Sequence, residues 1–344
     1  MNLRKAKLFA CCAVVMLAAS WFLSPRAVLL AQAPSTSNHN ATREDFDQLM
    51  TQLSNWGRWG KDDQKGAVNL ITPAKRKQAL SSVKEGFSVS MERNAEMEPA
   101  LDNQQPIVHK MAGGGRGRSG PPSDIGGASD SFFIAYHGFV HTHMDTFCHR
   151  MYKGKMYNGM PASAVTETGC EMGSIINFKD GIITHGVLMD IPRLKGVDYL
   201  EPGTRIYPED LDAWVKQAHL KIEPGDVVLI RTGRWARRDA KGPWQTSELA
   251  GLYITCAKWL HQRDVAILGS DAAEDVHPSG IEGIAEPIHA LVLVAMGMPI
   301  FDNLDLEAVS KEAAKRNRWD FLVTASPIAV PGATGSVLNP IATF

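Results

Sequence analysis

The apolar positions of this chain fall into short runs separated by polar and glycine-rich stretches. GVLMDI at 186–191, DVVLIRT at 226–232 and VAILGS at 265–270 are almost unbroken apolar segments ending in or near Asp, Arg or Gly. Strands buried on both faces read this way. Between them, 208–218 and 248–263 space their apolar residues at helical intervals, and this alternation predicts an α/β fold. Upstream, Thr72-Pro73 predicts a capped helix over 73–83, and the alternation at 87–91 predicts a strand. SFFIAY at 131–136 predicts another strand, and EPIHALVLVAMG at 286–297 an apolar helix carrying one histidine, His289.

The remaining stretches hold less regular structure. NWGRWGKDDQKGAVNLIT at 55–72 combines two tryptophans, three glycines and a charge cluster, which predicts a structured loop. Its tryptophans either wall a pocket or plug the core. MAGGGRGRSGPPSDIGG, starting at Met111, lacks the Lys-Ser/Thr ending and the strand-helix context of a phosphate cradle, leaving a mobile lid or a surface insertion. No internal repeat is visible.

The 344 residues are 44% hydrophobic and 21% charged, which suits one large globular domain or two small ones. Net charge is −1 and no basic patch interleaves with aromatics, so nothing points to a nucleic-acid partner. Residues 1–33 read as an export signal: Arg4, Lys5 and Lys7, an apolar run over 8–23, then Ala31-Gln32-Ala33. That run is short for a membrane span. The expected organisation is signal 1–33, polar tether 34–43 and one domain over 44–344, placing the mature protein outside the cytoplasm and free of the membrane after processing, with an uncleaved anchor as the alternative. Of the five cysteines, Cys11 and Cys12 lie in the apolar run; Cys148, Cys170 and Cys256 are odd in number and widely spaced, so no disulfide framework is expected.

The chemistry concentrates in 135–150, AYHGFVHTHMDTFCHR, where four of the 11 histidines cluster with Asp145 and Cys148. If the extended conformation of 131–136 continues, His141, His143 and Asp145 share one face. Imidazoles with a carboxylate are the donor set of catalytic metal sites, which keep a position open for water. His149, four residues past Asp145, reaches the same space if the chain turns. His137 stands apart and reads as a supporting residue, and Cys148 as a packing one. GSDAAED at 269–275 gathers three carboxylates at a strand end. Ligand sites favour such ends, which makes Glu274 and His277 outside candidates, although a solvated loop is the plainer reading.

The motif resembles that of the cyclase family of metal-dependent hydrolases, which includes bacterial kynurenine formamidase and isatin hydrolase and reads H-x-G-T-H-x-D-x-P-x-H. Thr142, His143, Asp145 and His149 match; the family's first histidine, glycine and proline fall on Phe139, His141 and Phe147. His141 is therefore expected to replace the ligand lost at Phe139. The resemblance implies a swivelling β/β/α domain with a barrel-like sheet flanked by helices, and a homodimer or homotetramer. It also implies a second metal site, with His289 matching a late helix histidine and Asp302-Asn303-Leu304 an E-N-L-like turn.

The expected activity is hydrolysis of an amide, cyclic amide or lactone, with zinc or manganese as one or two ions per subunit. His141, His143 and Asp145 would hold the first ion; Asp145, His149, His289 and Asp302 the second, with His149 as general acid or base if only one binds. The partner is a small molecule, and aromatic residues near the motif suit a planar one, though Phe and Trp equally build cores. The alternatives are a silent metal-binding scaffold and a cyclising or dehydrating enzyme.

Overall fold

In the computed structural model the three buried runs form the parallel centre of a nine-stranded mixed sheet. The structure describes residues 39–113 and 127–344. The expected export signal and most of the glycine-rich stretch lie outside them; among the described residues no helix is long and apolar enough to cross a membrane.

The strands run in the order Ser88–Ser90, Ile341–Thr343, Asp320–Ala325, Ile182–Asp190, Val227–Arg231, Ile267–Ser270, Ile300–Asp302, His143–Asp145, Gly335–Val337. Ile182–Asp190 through Ile300–Asp302 are mutually parallel, and the flanking pairs are antiparallel. The sheet curls into a half-barrel flanked by helices. Val227 to Ile230 and Ile267 to Leu268 are fully buried, as their unbroken apolar sequence requires. Trp214, on the expected helix Pro208–Gln217, fixes that helix to the sheet by donating its indole N–H to the Leu188 carbonyl at 2.8 Å.

Helix Pro73–Ser81 starts where expected, with the Thr72 hydroxyl accepting from the Lys75 N–H. Other elements depart from the sequence reading. The helix expected over 248–263 is confined to Cys256–Gln262, because Gly251–Leu252 instead pairs with Arg205–Ile206. Ala41 is already buried, with its N–H donated to the Tyr253 hydroxyl, and Thr42 caps helix Arg43–Gln52, so ordered structure reaches into the expected tether. The strand expected over 131–136 is Ser129–Phe133, which pairs with Val108–Gly113 in an exposed hairpin apart from the main sheet. Cys148 and Cys170 form a disulfide, and Cys256 is a buried free thiol. The pair was hidden because its partner lies 22 residues away across the short Val165–Thr166 and Gly169–Cys170 hairpin.

Candidate metal centre

The site is built on the three-residue strand His143–Asp145, wedged between Ile300–Asp302 and Gly335–Val337. Side chains two apart on a strand share a face, and register sets Asp302 directly opposite His143. Cross-strand partners of this kind have Cβ atoms ~5 Å apart, so three donors converge by pairing alone. Met144 and Phe301, also paired, point the other way into the core and are fully buried; each stabilises the strand pair by about 2 kcal/mol. On the far edge Gly335 lies opposite Asp145. A Cβ there would clash with the Met144 carbonyl and lie 3.1 Å from Asp145 Oδ1 and 3.3 Å from the His137 ring, so glycine makes the room these side chains occupy.

The imidazole nitrogens are fixed from behind. His143 Nδ1 donates to the His141 carbonyl at 2.8 Å, leaving Nε2 inward, 3.5 Å from both Asp145 Oδ1 and Asp302 Oδ2. His289 Nδ1 donates to Asp275 at 2.8 Å, leaving its Nε2 3.4 Å from Asp302 Oδ2. His137 Nε2 pairs with the Thr334 hydroxyl at 2.6 Å and its Nδ1 lies 3.0 Å from Asp145 Oδ1. Locking one ring nitrogen so that the other faces the site is how protein shells orient metal-binding histidines. His149 completes the group: its Nε2 is 3.2 Å from Asp145 Oδ2 and its ring stacks on His137 at 4.2 Å.

Two sets of donor atoms lie within 4.8 Å of one another: His137, His143 and Asp145, and Asp145, His289 and Asp302, with Asp145 common to both. Of the residues named from the sequence, His143, Asp145, His289 and Asp302 fall in these sets, and His149 is in neither but reaches Asp145 from outside. His141 belongs to neither set. The chain bends over 137–141 and is extended only from 143 to 145, so the one-face parity that linked His141 to His143 does not hold. His137 is brought round in its place. Asn303, in the left-handed region at φ 55°, steadies the bend by donating Nδ2 to the Gly138 carbonyl at 2.7 Å. Gly138 lies inside this bend, a glycine interrupting the pattern that the strand reading ran through.

His141 instead lines a cavity of about 250 Å³ together with Asp102, Gln105, His137, Phe139 and Thr246. Phe139 is half-buried against the His277 ring. His137 belongs to both the donor set and this cavity, which puts the donors at its edge.

The plain reading of 269–275 as a solvated turn does not hold either. Asp271, Glu274 and Asp275 are all buried. Asp271 accepts from Thr232, Gly233 and Arg234; Asp275 accepts the Ile288 and His289 N–H groups and the His289 ring. His277 Nδ1 donates to the Thr246 carbonyl at 2.9 Å, and the residue is in neither donor set.

Burial and charge set the protonation of the group. His149 is pushed down to about 3, first by burial, which Asp145 only partly opposes. Burial works against the charge on Asp145, but His143, His137 and His149 outweigh it and hold the carboxyl below its ordinary range. Burial likewise opposes protonation of His289, and Asp302 with Asp275 reverse it. Even so, neither oxygen of Asp145 accepts a hydrogen bond of good geometry, and Asp302 Oδ1 has none. Buried carboxylates this poorly satisfied are costly without a cation among them. The residues therefore fit a divalent metal ion.

A buried histidine–carboxylate group at the edge of a cavity, on a curled mixed sheet, defines an α/β protein with the donors of a metal centre. The family model described as putative cyclase matches residues 87–274, more than half the chain, and the chain belongs to this cyclase family. A solved structure described as a novel cyclase is 30% identical, over 86% of this chain and 99% of that one, with a TM-score of 0.77. Isatin hydrolase A from Ralstonia solanacearum (19% identity, 77% of this chain, 93% of that one, TM-score 0.52) shares the fold. So does isatin hydrolase A from Labrenzia aggregata (15%, 78%, 99%, 0.54). None of the curated proteins matches the sequence.

Proposed function

We propose that this protein is a metal-dependent hydrolase that opens an amide, a cyclic amide or a lactone with a metal-activated water. The observation that carries this reading is Asp145: 1% exposed, common to both donor sets, and without a well-formed hydrogen bond on either oxygen. His137, His143 and Asp145 would hold one ion; Asp145, His289 and Asp302 a second. When bound, such a cation lowers the pKa of a coordinated water to about 7 and polarises the substrate carbonyl. Mixed nitrogen and oxygen donors suit zinc and manganese.

The chain's own residues do the rest. His149, the most accessible of the inner histidines after His137, sets Nε2 3.2 Å from Asp145 Oδ2, where it would relay a proton from the attacking water to the leaving nitrogen or oxygen. Asp275 and the His141 carbonyl keep His289 and His143 oriented while this happens. The adjoining cavity, walled by Phe139 and the polar side chains of Gln105 and His141, accepts a small, flat molecule and excludes bulk water from one side of the donors. Two fold relatives named isatin hydrolases support the cyclic-amide class. The Cys148–Cys170 disulfide supports export, since such bonds persist in oxidising compartments.

The test is a panel of formyl-anilines, isatin-like rings and lactones assayed with the purified chain, before and after chelation. Turnover of at least one class that stops on chelation and returns with zinc or manganese is the expected result. Turnover indifferent to the chelator, or none across the panel in metal-loaded protein, would contradict the reading.

A further inference from the structure

Among the buried carboxylates outside both donor sets, one lies beside the site with neither oxygen hydrogen-bonded. Glu274 sits in the turn after strand Ile267–Ser270, 1% exposed, with φ at 36°, a region that residues other than glycine enter at a cost. Its neighbours in the turn are fully engaged: Asp271 and Asp275 each accept several hydrogen bonds, so they hold the turn together. Glu274 does not. Both of its oxygens lack a partner that could donate.

Those oxygens face the site. Glu274 Oε2 is 3.8 Å from His289 Nε2, the nitrogen left free by Asp275. The carboxyl also meets that of Asp302, whose Oδ1 is unsatisfied as well. A proton shared between two carboxyls would settle one contact and leave the other oxygens orphaned. A divalent cation would settle all of them at once.

Resting on the metal-dependent reading above, we propose that Glu274 is a ligand of a second divalent cation, joining Asp145, His289 and Asp302 in a four-donor set. Asp302 is one methylene shorter than the glutamate of the turn it resembles, and Glu274 brings a longer carboxylate to the same ion from a different segment of the chain. The site is thereby a two-ion centre, with His137 and His143 on one ion, His289, Asp302 and Glu274 on the other, and Asp145 between them.

The test is calorimetric titration of the metal-free full chain with zinc and, separately, with manganese. The unmodified chain should bind two ions. Glu274→Gln should lose the second, or weaken it by more than the roughly 10- to 100-fold that loss of a residue behind the ligands costs, while the first is unchanged. His137→Ala should do the reverse. Glu274→Ser removes the same carboxylate with a smaller side chain and stands in if the glutamine variant does not fold. Native affinities for two ions in both Glu274 variants, or one ion only on the unmodified chain, would overturn the proposal. Binding of no ion by the unmodified chain would instead overturn the metal-dependent reading on which it rests.

Discussion

His137 and His141 are four residues apart, both histidine, and have different surroundings. His137 turns Nδ1 to Asp145 because Thr334 holds its other nitrogen; His141 serves His143 through its backbone carbonyl and puts its own ring, buried and unpaired at Nε2, against the cavity. His137→Ala should therefore cut metal content sharply, whereas His141→Ala should leave it near that of the unmodified chain. Emission spectrometry on dialysed protein checks both, and equal losses in the two variants would return His141 to the ligand set. Carrying the extended conformation of 131–136 forward missed this, since the strand ends at Phe133 and the bend over 137–141 exchanges the two rings.

Away from the site, His185 lies between Asp226 (3.1 Å) and Asp320 (3.1 Å), with Lys75 at 2.5 Å from the same Asp226 oxygen. Burial opposes its charge, but the two carboxylates prevail and raise its pKa to about 9. A pKa raised by folding favours the native state most fully below the unfolded value near 6.5, and that contribution is lost as pH rises through about 9. Stability should therefore fall between these values by up to about 3 kcal/mol, and His185→Gln should flatten the slope. Denaturant melts at intervals across that range are the check; an unchanged slope in the variant would show that another group titrates.

At the scale of elements, the strand His143–Asp145 owes its position to pairing on both edges, and the turn that follows it is fastened by the Cys148–Cys170 bond. Closing a loop of 22 residues stabilises by about 3 kcal/mol through the entropy removed from the unfolded chain. Cys170→Ser should lower the melting temperature accordingly and, because His149 is the next residue after Cys148, should cost more activity than a change elsewhere on the hairpin. Thermal scans with and without reductant give the comparison; coincident curves would mean that the bond is not formed in the protein.

The helix carrying His289 shows what element boundaries owe to tertiary contacts. Its apolar sequence predicts one helix, and the structure has a short α-turn, Pro287–Ala290, then a wider π-type stretch, Leu291–Met296. Asp275 caps the α-turn from a distant loop, which no local pattern encodes. The same loop explains why Glu274 reads as solvated in sequence. Three acids in seven residues look like a surface turn until Asp271 and Asp275 are seen to spend their hydrogen bonds on buried backbone.

For the whole molecule, the parallel centre was legible because strands covered on both faces leave unbroken apolar runs, as at Val227–Arg231. Gly335–Val337 and Ile341–Thr343 were not, being three residues long and defined only by their partners. The donors on the central motif were visible for a related reason: histidines and acids at two-residue spacing are an unusual load for one strand face. His289 and Asp302, on other segments, were legible only through the family resemblance, and Glu274 only as an outside candidate that the fold then placed beside them.

Asp145 is where the fold's two donor sets meet, so its loss tests the central claim most directly. In Asp145→Ala, metal content after dialysis and chelator-sensitive turnover should fall together to background, with the melting temperature no longer raised by added zinc or manganese as it should be for the unmodified chain. A folded Asp145→Ala protein that keeps its metal and its turnover would contradict the account.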